Sequence, residues 1–536
     1  MINQWAQQSG NHTVHCRLVV HQRIHAAQQL LVRKGLHIDV GQPGLVPWRL
    51  ALVTALQFLE HLSDRQAADA VRSRIDWKYA PGLKLDDPGF HFSVLTEFCS
   101  RLLAGHAEYL LLDKMLGHFK ARGLIKPRGR QRTDSTRVLG AVRDLHLLEL
   151  VTETLRAALN ELAVVAPEWL RGVAQPDWFE RYARRAGDWR LPGGSKDKRA
   201  ACAQQVGTDG FALLDALGTD ETPSAAREAS KVMALRQVWQ THFERCEDGS
   251  PRWRDGAEPP PVGERIQSPY DPEMYYSAKR GMEWSGYKVH VTETCDARTA
   301  HVITHIETRP SMEFDISAMA DIHKYLAARE MLPREHFVDS AYVSAALLVS
   351  SQREHGVCLQ GPVRELSRAG QGYDLPDFKI DWVHQQVSCP EGKVSVGWTS
   401  GLDDAGRPRV HVRFGRGDCA SCHAQSLCTQ SKEKRRSIYF HPRPEYKALN
   451  KARQRMHEPA WKKKYRVRAG VEGTLSQGLR AFGMRRSRYI GLAKTALQQV
   501  LAAVGINVAR AVTWLDGRAR AKTRISRFAR LRPTTA

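Results

Sequence analysis

The stretch GYKVHVTETCDARTAHVITHIETR, residues 286–309, decides the fold. Two runs alternate β-branched with polar residues, and Cys295-Asp296-Ala297-Arg298 interrupts them, so the stretch predicts a β-hairpin. Toward the C-terminus, a helix is expected from Asp315 to Met331, then a short buried strand, HFVD (336–339). A second helix from Ala341 to His355 leads to a further strand, GVCLQG (356–361). Residues 280–362 therefore read β-β-α-β-α-β, an α/β layer. Asp339 closes its strand, and ligands of such sheets gather at the carboxyl ends of strands.

Upstream, residues 249–270 are rich in Pro and Gly and read as a linker. Residues 140–165 and 176–247 read as largely helical, with a polar break at LPGGSKDKR (191–199). RTDSTRV (132–138) reads as a short strand around Asp134. Residues 45–120 read as a compact helical unit. Trp48, Leu52, Ala55, Leu56 and Leu59 recur at helical spacing. Ser63-Asp64-Arg65-Gln66 forms a capping box, and a further helix starts near Ser93. Three short helices with tight turns suit a helix-turn-helix-like DNA-binding unit, and suit an ordinary helical bundle almost as well. Residues 1–40, rich in His and Gln, read as a loose arm.

Downstream, residues 371–445 hold clustered cysteines among short strands and turns, and residues 445–515 return to helix. Ala493, Ala496, Leu497, Val500, Leu501, Val504 and Val508 step by three and four.

The 536 residues suffice for two to four domains. With 42% hydrophobic and 26% charged residues, the composition is that of a globular protein. No run of 18 apolar residues offers a membrane span, and the polar first residues do not resemble a signal peptide, so a cytoplasmic protein is expected. The net charge of +23 is unevenly placed. Residues 431–536 hold 27 Lys and Arg against 5 Asp and Glu, while residues 1–430 hold 53 against 52. Such a basic segment faces a polyanion, most simply a phosphate backbone, or is a solvated tail; its apolar periodicity favours the first.

Six of the ten cysteines are scattered, and four are clustered: Cys389, Cys419, Cys422 and Cys428. That is no disulfide scaffold. The Cys-x2-Cys-x5-Cys spacing with Cys389 upstream suits a structural zinc site, with His423 as an alternative ligand; four unliganded thiols are the plainer reading.

Phosphodiester cleavage needs an activated oxygen nucleophile and charge stabilisation at phosphorus, which two Mg²⁺ or Mn²⁺ ions supply. Hard oxygen ligands hold such ions, so carboxylates from separate elements must meet. Asp134, Asp339 and Glu472 stand in suitable settings, although the chain has 57 acidic residues and an Asp at a strand end is often only a cap. Tyr465, Arg468 and Glu472, spaced i, i+3, i+7, are expected on one helical face. There Arg468 would grip a phosphate and Tyr465 would support a nucleotide. Gly470 and Gly473 flank them, weakening the helix or admitting DNA closely. Lys462, Lys463, Lys464, Arg466, Arg485, Arg486 and Arg488 read as phosphate contacts. Trp284 and Tyr287 read as core.

Tyr465, Arg468 and Glu472 match the Tyr-x2-Arg-x3-Glu signature of bacterial insertion-sequence transposases, and the chain resembles the IS4, IS5 and IS1182 groups. LQFLEHLSDRQAADAVRSRIDWKYAPGL, GFHFSVLTEFCSRL, RTDSTRV, EWSGYKVHVTET, HFVDSAYVS and YRVRAGVEGTLSQGLRAFGMRRSRYIGLAKT carry the likeness, in order, over about residues 45–515. One position departs: Leu479 stands where the signature has Lys, and Arg480 is the nearest base. The resemblance implies an α/β, RNase H-like catalytic core, with Asp134 on its first strand, Asp339 on its fourth and Glu472 on a later helix. The expected layout is an arm (1–40), a helical N-terminal domain (41–120) and a core (121–370) with a helical insertion at about 141–265. A β-rich Cys₄ insertion (371–445), the last part of the core (446–515) and a basic tail (516–536) follow. Implied too are a DDE reaction with two Mg²⁺ or Mn²⁺ ions per site, terminal inverted repeats and target DNA as partners, and a homodimer on DNA. A catalytically inactive DNA-binding regulator and a hydrolysis-only nuclease are the alternatives.

Overall fold

The computed structural model describes residues 46–143, 145–187, 196–254, 265–279, 281–365, 372–518 and 531. The expected arm and nearly all of the expected basic tail lie outside them.

Helix α1 (Pro47–Glu60) opens with proline at its first turn, where a missing N–H costs nothing. Helix α2 (Asp64–Ser73) starts with the expected capping box, Ser63 and Gln66 satisfying each other's backbone N–H groups. Such a cap contributes about 1 kcal/mol. Helices α3 (Ile75–Tyr79), α4 (Ser93–Ala104) and α5 (Leu110–Ala121) complete this unit.

Strand β1 (Arg130–Leu139) carries Asp134. After it come α6 (Leu147–Val165), α7 (Lys196–Ala216) and α8 (Ser230–His242), which close their own core around Leu155, Val206, Leu213, Val232 and Trp239. Two expectations fail here. Lys196 to Arg199, read as a break, begin α7. Pro251–Trp253, read as linker, pairs with Phe243–Arg245 as a hairpin, because Trp253 packs its ring on Phe243 at 5.9 Å. Residues 255–264 of that linker lie outside the described residues.

The chain then re-enters the sheet with β2 (Tyr275–Lys279), β3 (Met282–Thr294) and β4 (Ile303–Pro310), followed by α9 (Asp315–Ala328), β5 (Glu335–Phe337), α10 (Ala345–His355) and β6 (Cys358–Gln360). The strand order is β4-β3-β1-β5-β6, with β2 beside the first half of β3. β3 runs antiparallel to β1, β2 and β4, whereas β5 and β6 run parallel to β1 and to each other. Helix α10 starts later than expected, since a 3₁₀ turn, Ser340–Tyr342, occupies its first residues. Trp284 and Tyr287 are buried, as expected.

A small module follows: a hairpin of Lys379–Asp381 with Gln386–Ser388, and a three-stranded sheet of β7 (Gly397–Leu402), β8 (Pro408–Arg413) and β9 (Ser437–Phe440). Phe378, Val387, Val412, Phe414 and Phe440 form its separate core. The chain ends in α11 (Arg443–His457), α12 (Pro459–Tyr465), α13 (Gly470–Ala481) and α14 (Leu492–Leu515).

Helix α14 is long and apolar enough, by length and composition, to cross a membrane, yet 67% of that window is buried inside the protein. It packs on α1 and β4. Its Asn507 amide accepts from the Ile303 N–H (2.7 Å) and donates to the Ile303 carbonyl (2.8 Å). The side chain thereby completes a backbone pair at the sheet edge, where an open pair inside the core would be costly. One apolar cluster joins the first helices, the sheet and α14.

Candidate active site

Side chains alternate across a strand, so Arg132 and Asp134 share one face of β1 while Thr133 and Ser135 share the other. The contacts follow this rule. Ser135 reaches Asp315 at the start of α9 (3.2 Å). Thr133 reaches buried His336 (2.6 Å). Arg132 and Asp134 face the segment that leads into α13.

Asp134 sits mid-strand, paired across to Val291. Its Oδ1 accepts from the Ser135 N–H (2.8 Å) and its Oδ2 from Arg468 Nη2 (2.7 Å). Burial pushes its carboxyl up to about 6; Arg468 and the Ser135 N–H pull it down, and neighbouring Asp339 adds to the rise. Asp339 lies two residues beyond β5. It caps the 3₁₀ turn, its Oδ1 accepting from the Ala341 N–H (2.9 Å), and its Oδ2 lies 3.8 Å from Arg468 Nη2. It is thus both a cap and a wall of the site. Glu472, in the first turn of α13 and exposed, lies 3.2 Å from Arg468 Nη1. One guanidinium therefore bridges three carboxylates from three distant parts of the chain.

The expected single helical face is corrected. α12 ends at Tyr465, and Arg466–Ala469 form a 3₁₀ turn before α13 begins at Gly470. The tighter turn directs Arg468 inward between the two aspartates. Tyr465 also turns inward: its hydroxyl donates to the Val338 carbonyl (2.8 Å), and its ring stacks on Trp461 at 4.8 Å. It ties this segment to the residue before Asp339. A Cβ on Gly470 would collide with the Arg132 guanidinium, so that glycine serves close packing within the protein. Gly473 faces open space.

Beneath the acids lies a buried network that the sequence reading missed. Glu293, fully buried, accepts from Arg132 (2.7 Å), Thr474 (2.6 Å) and Arg510 (2.6 Å). Burial, the largest single influence, pushes its carboxyl up, but Arg510, Arg132 and the Thr474 hydroxyl together outweigh it and hold the group below the usual range. Arg132 also donates to the Val467 carbonyl, and Arg510 to the His301 carbonyl (2.6 Å). The network fastens β1, β3, α13 and α14 around the segment bearing Arg468 and Glu472. A glutamate between Thr292 and Thr294, in a strand of alternating character, was its one visible signal.

The basic residues differ in their engagement. Lys462, Lys463, Arg466, Arg480 and Arg486 are exposed. Lys464 pairs with Glu335. Arg485 reaches the Arg137 carbonyl at 3.5 Å. Arg488 donates to the Leu62 carbonyl (2.6 Å) and lies over the Phe58 ring, binding the last helices to the first.

Cys389, Cys419, Cys422 and Cys428 line one small cavity with Tyr373, Glu391 and Arg436. Backbone N–H groups of Lys393 and Arg436 point at the sulfurs of Cys389 (3.3 Å) and Cys419 (3.5 Å). Among the described residues, no three His, Cys, Asp or Glu side chains are spaced to hold a metal ion. The thiols share a cavity without closing to ligand distance, and the acids are gathered around a guanidinium.

Residues 388–512 match the family described as transposase DDE domain, and residues 17–101 match the family described as transposase domain (DUF772). The first match spans the cysteines, Arg468, Glu472 and most of α14; Asp134 and Asp339 lie outside both. No curated protein matches the chain.

Proposed function

We propose, from the match of residues 388–512 to a transposase DDE domain and of residues 17–101 to a transposase domain, that this chain is a DDE transposase with Asp134, Asp339 and Glu472 as its active site. On this reading it binds the terminal inverted repeats of its own element, cuts there and joins the freed ends to target DNA as a dimer. The observation that carries this is Arg468 in contact with all three carboxylates. The strand order β4-β3-β1-β5-β6, three antiparallel strands followed by two parallel ones, supports an RNase H-like core. On that reading the helices after β1 and the module at 371–445 are insertions.

The donor set fits Mg²⁺ or Mn²⁺, because every facing atom is a carboxylate oxygen. Asp134, Asp339 and Glu472 would hold the ions, which supply an activated water or 3′-hydroxyl and stabilise charge at phosphorus. The chain's own groups do the rest. Tyr465 and the Glu293 network fix where the carboxylates stand, and Arg468 offers a planar fork to a phosphate. Lys462, Lys463 and Arg466 present exposed charge to the backbone of the duplex. For zinc at the four thiols, the support is their spacing and shared cavity.

The test uses a duplex carrying the element's ends, Mg²⁺ and a target plasmid. Parent protein should yield cut ends and joined products. Asp134→Asn, Asp339→Asn and Glu472→Gln should each abolish both while still binding the duplex. Cutting without joining would favour a nuclease, and binding without cutting by the parent would favour a regulator.

A further inference from the structure

We infer that Arg468 gates divalent-ion loading, holding the three carboxylates until a DNA phosphate draws its guanidinium away. The inference rests on reading Asp134, Asp339 and Glu472 as the ion ligands. Nη2 lies 2.7 Å from Asp134 and 3.8 Å from Asp339, and Nη1 lies 3.2 Å from Glu472. The guanidinium therefore fills the space where an ion shared by these acids would sit. Arginine stays charged at every accessible pH, so it does not leave by losing a proton. An ion entering beside it meets like charge at contact distance, where attraction to the carboxylates is already partly spent.

The same group is suited to leave for a phosphate. A phosphate offers two oxygens to the guanidinium fork as a carboxylate does. Arg468 Nε is buried with no hydrogen-bond partner among the described residues, a donor left unused in this arrangement. The side chain hangs from the 3₁₀ turn Arg466–Ala469, between two helices rather than inside one. Exposed Lys462 and Lys463 just before that turn, with exposed Arg466 at its start, would bring a DNA backbone to it. DNA and ions should then bind with positive coupling, each raising the affinity for the other by the same factor. A chain without DNA would hold its ions poorly and so would not cut at random.

Mn²⁺ alone is the probe, titrated into the full chain and followed by the spectroscopic signal of the free ion, with and without duplex DNA. Arg468→Ala and Arg468→Gln should each bind Mn²⁺ at least tenfold tighter than the parent without DNA. Duplex should tighten the parent by a similar factor and the variants by less than threefold. Lys279→Ala removes a nearby charge that pairs directly with Asp315 and acts on Asp134 only at longer range than Arg468, and should change affinity less than threefold. Melting curves establish that each variant is folded, and Arg468→Gln keeps the test open should the alanine variant fail. The gate is overturned if the Arg468 variants bind no tighter than the parent, or if Lys279→Ala matches them. If the added affinity of Arg468→Ala survives Asp134→Asn, Asp339→Asn and Glu472→Gln, the three-acid reading falls as well. If those substitutions remove Mn²⁺ binding while Arg468→Ala adds none, only the gate falls.

Discussion

Replacing Glu293 with alanine would leave the Arg132 and Arg510 guanidinium groups facing each other in a buried space. Removing one partner of a buried ionic group costs about 3–5 kcal/mol, because the remaining charge loses its counterion without regaining water. Glu293→Ala should therefore lower the thermal midpoint by several degrees, whereas Lys464→Ala, at an exposed pair, should shift it little. Equal shifts would contradict the network's role. Buried histidines make a second prediction. Burial holds His290 down to about 3 and His323 down to about 4. Histidine in the unfolded chain titrates near 6.5. Below about 6.5 the unfolded chain takes up protons that the fold refuses, so stability present above that pH is lost as pH falls toward 4. A thermal midpoint unchanged between pH 7.5 and pH 5 would contradict this. At this scale the sequence disclosed little. Asp134 and Asp339 could be singled out by their strands, but the partners of Glu293 lie 161 and 217 residues away in the chain, a distance no local pattern spans.

The elements were more legible. Alternation in GYKVHVTET and the capping box at Ser63 report on local backbone chemistry, which a single sequence carries. The turn at Arg466–Ala469 was missed because RVRA contains no breaker; it follows from packing Arg468 and Tyr465 inward. Pro251–Trp253 was misread because tertiary packing of Trp253 outweighed the composition of its neighbours. The cysteine module yields a prediction of its own. Metal analysis of the purified full chain should find one zinc per chain, lost when Cys419 and Cys422 are both changed to serine. A chain free of zinc, or one whose zinc survives that change, would contradict the spacing argument.

Across the whole molecule, charge and fold divide the labour. The excess positive charge falls in the last fifth of the chain, and that segment runs past the site through Lys462, Lys463 and Arg466 and closes the core with α14. Each phosphate contact releases counterions, so affinity for duplex should fall steeply with salt. Lys462→Ala and Lys463→Ala should each reduce the log–log salt slope by about one while leaving preference among sequences unchanged. An unchanged slope would place DNA elsewhere on the surface.

If the carboxylates of Asp134, Asp339 and Glu472 work as one unit, their losses cannot multiply. The decisive measurement is the strand-cleavage rate on a duplex bearing the element's ends, for each single substitution to the amide, each pair and all three. The expected result is a loss of about 10³-fold or more in every single variant, with no further loss in the pairs or the triple. Cleavage at the parental rate by any single variant, or losses that multiply from singles to triple, would contradict a shared site.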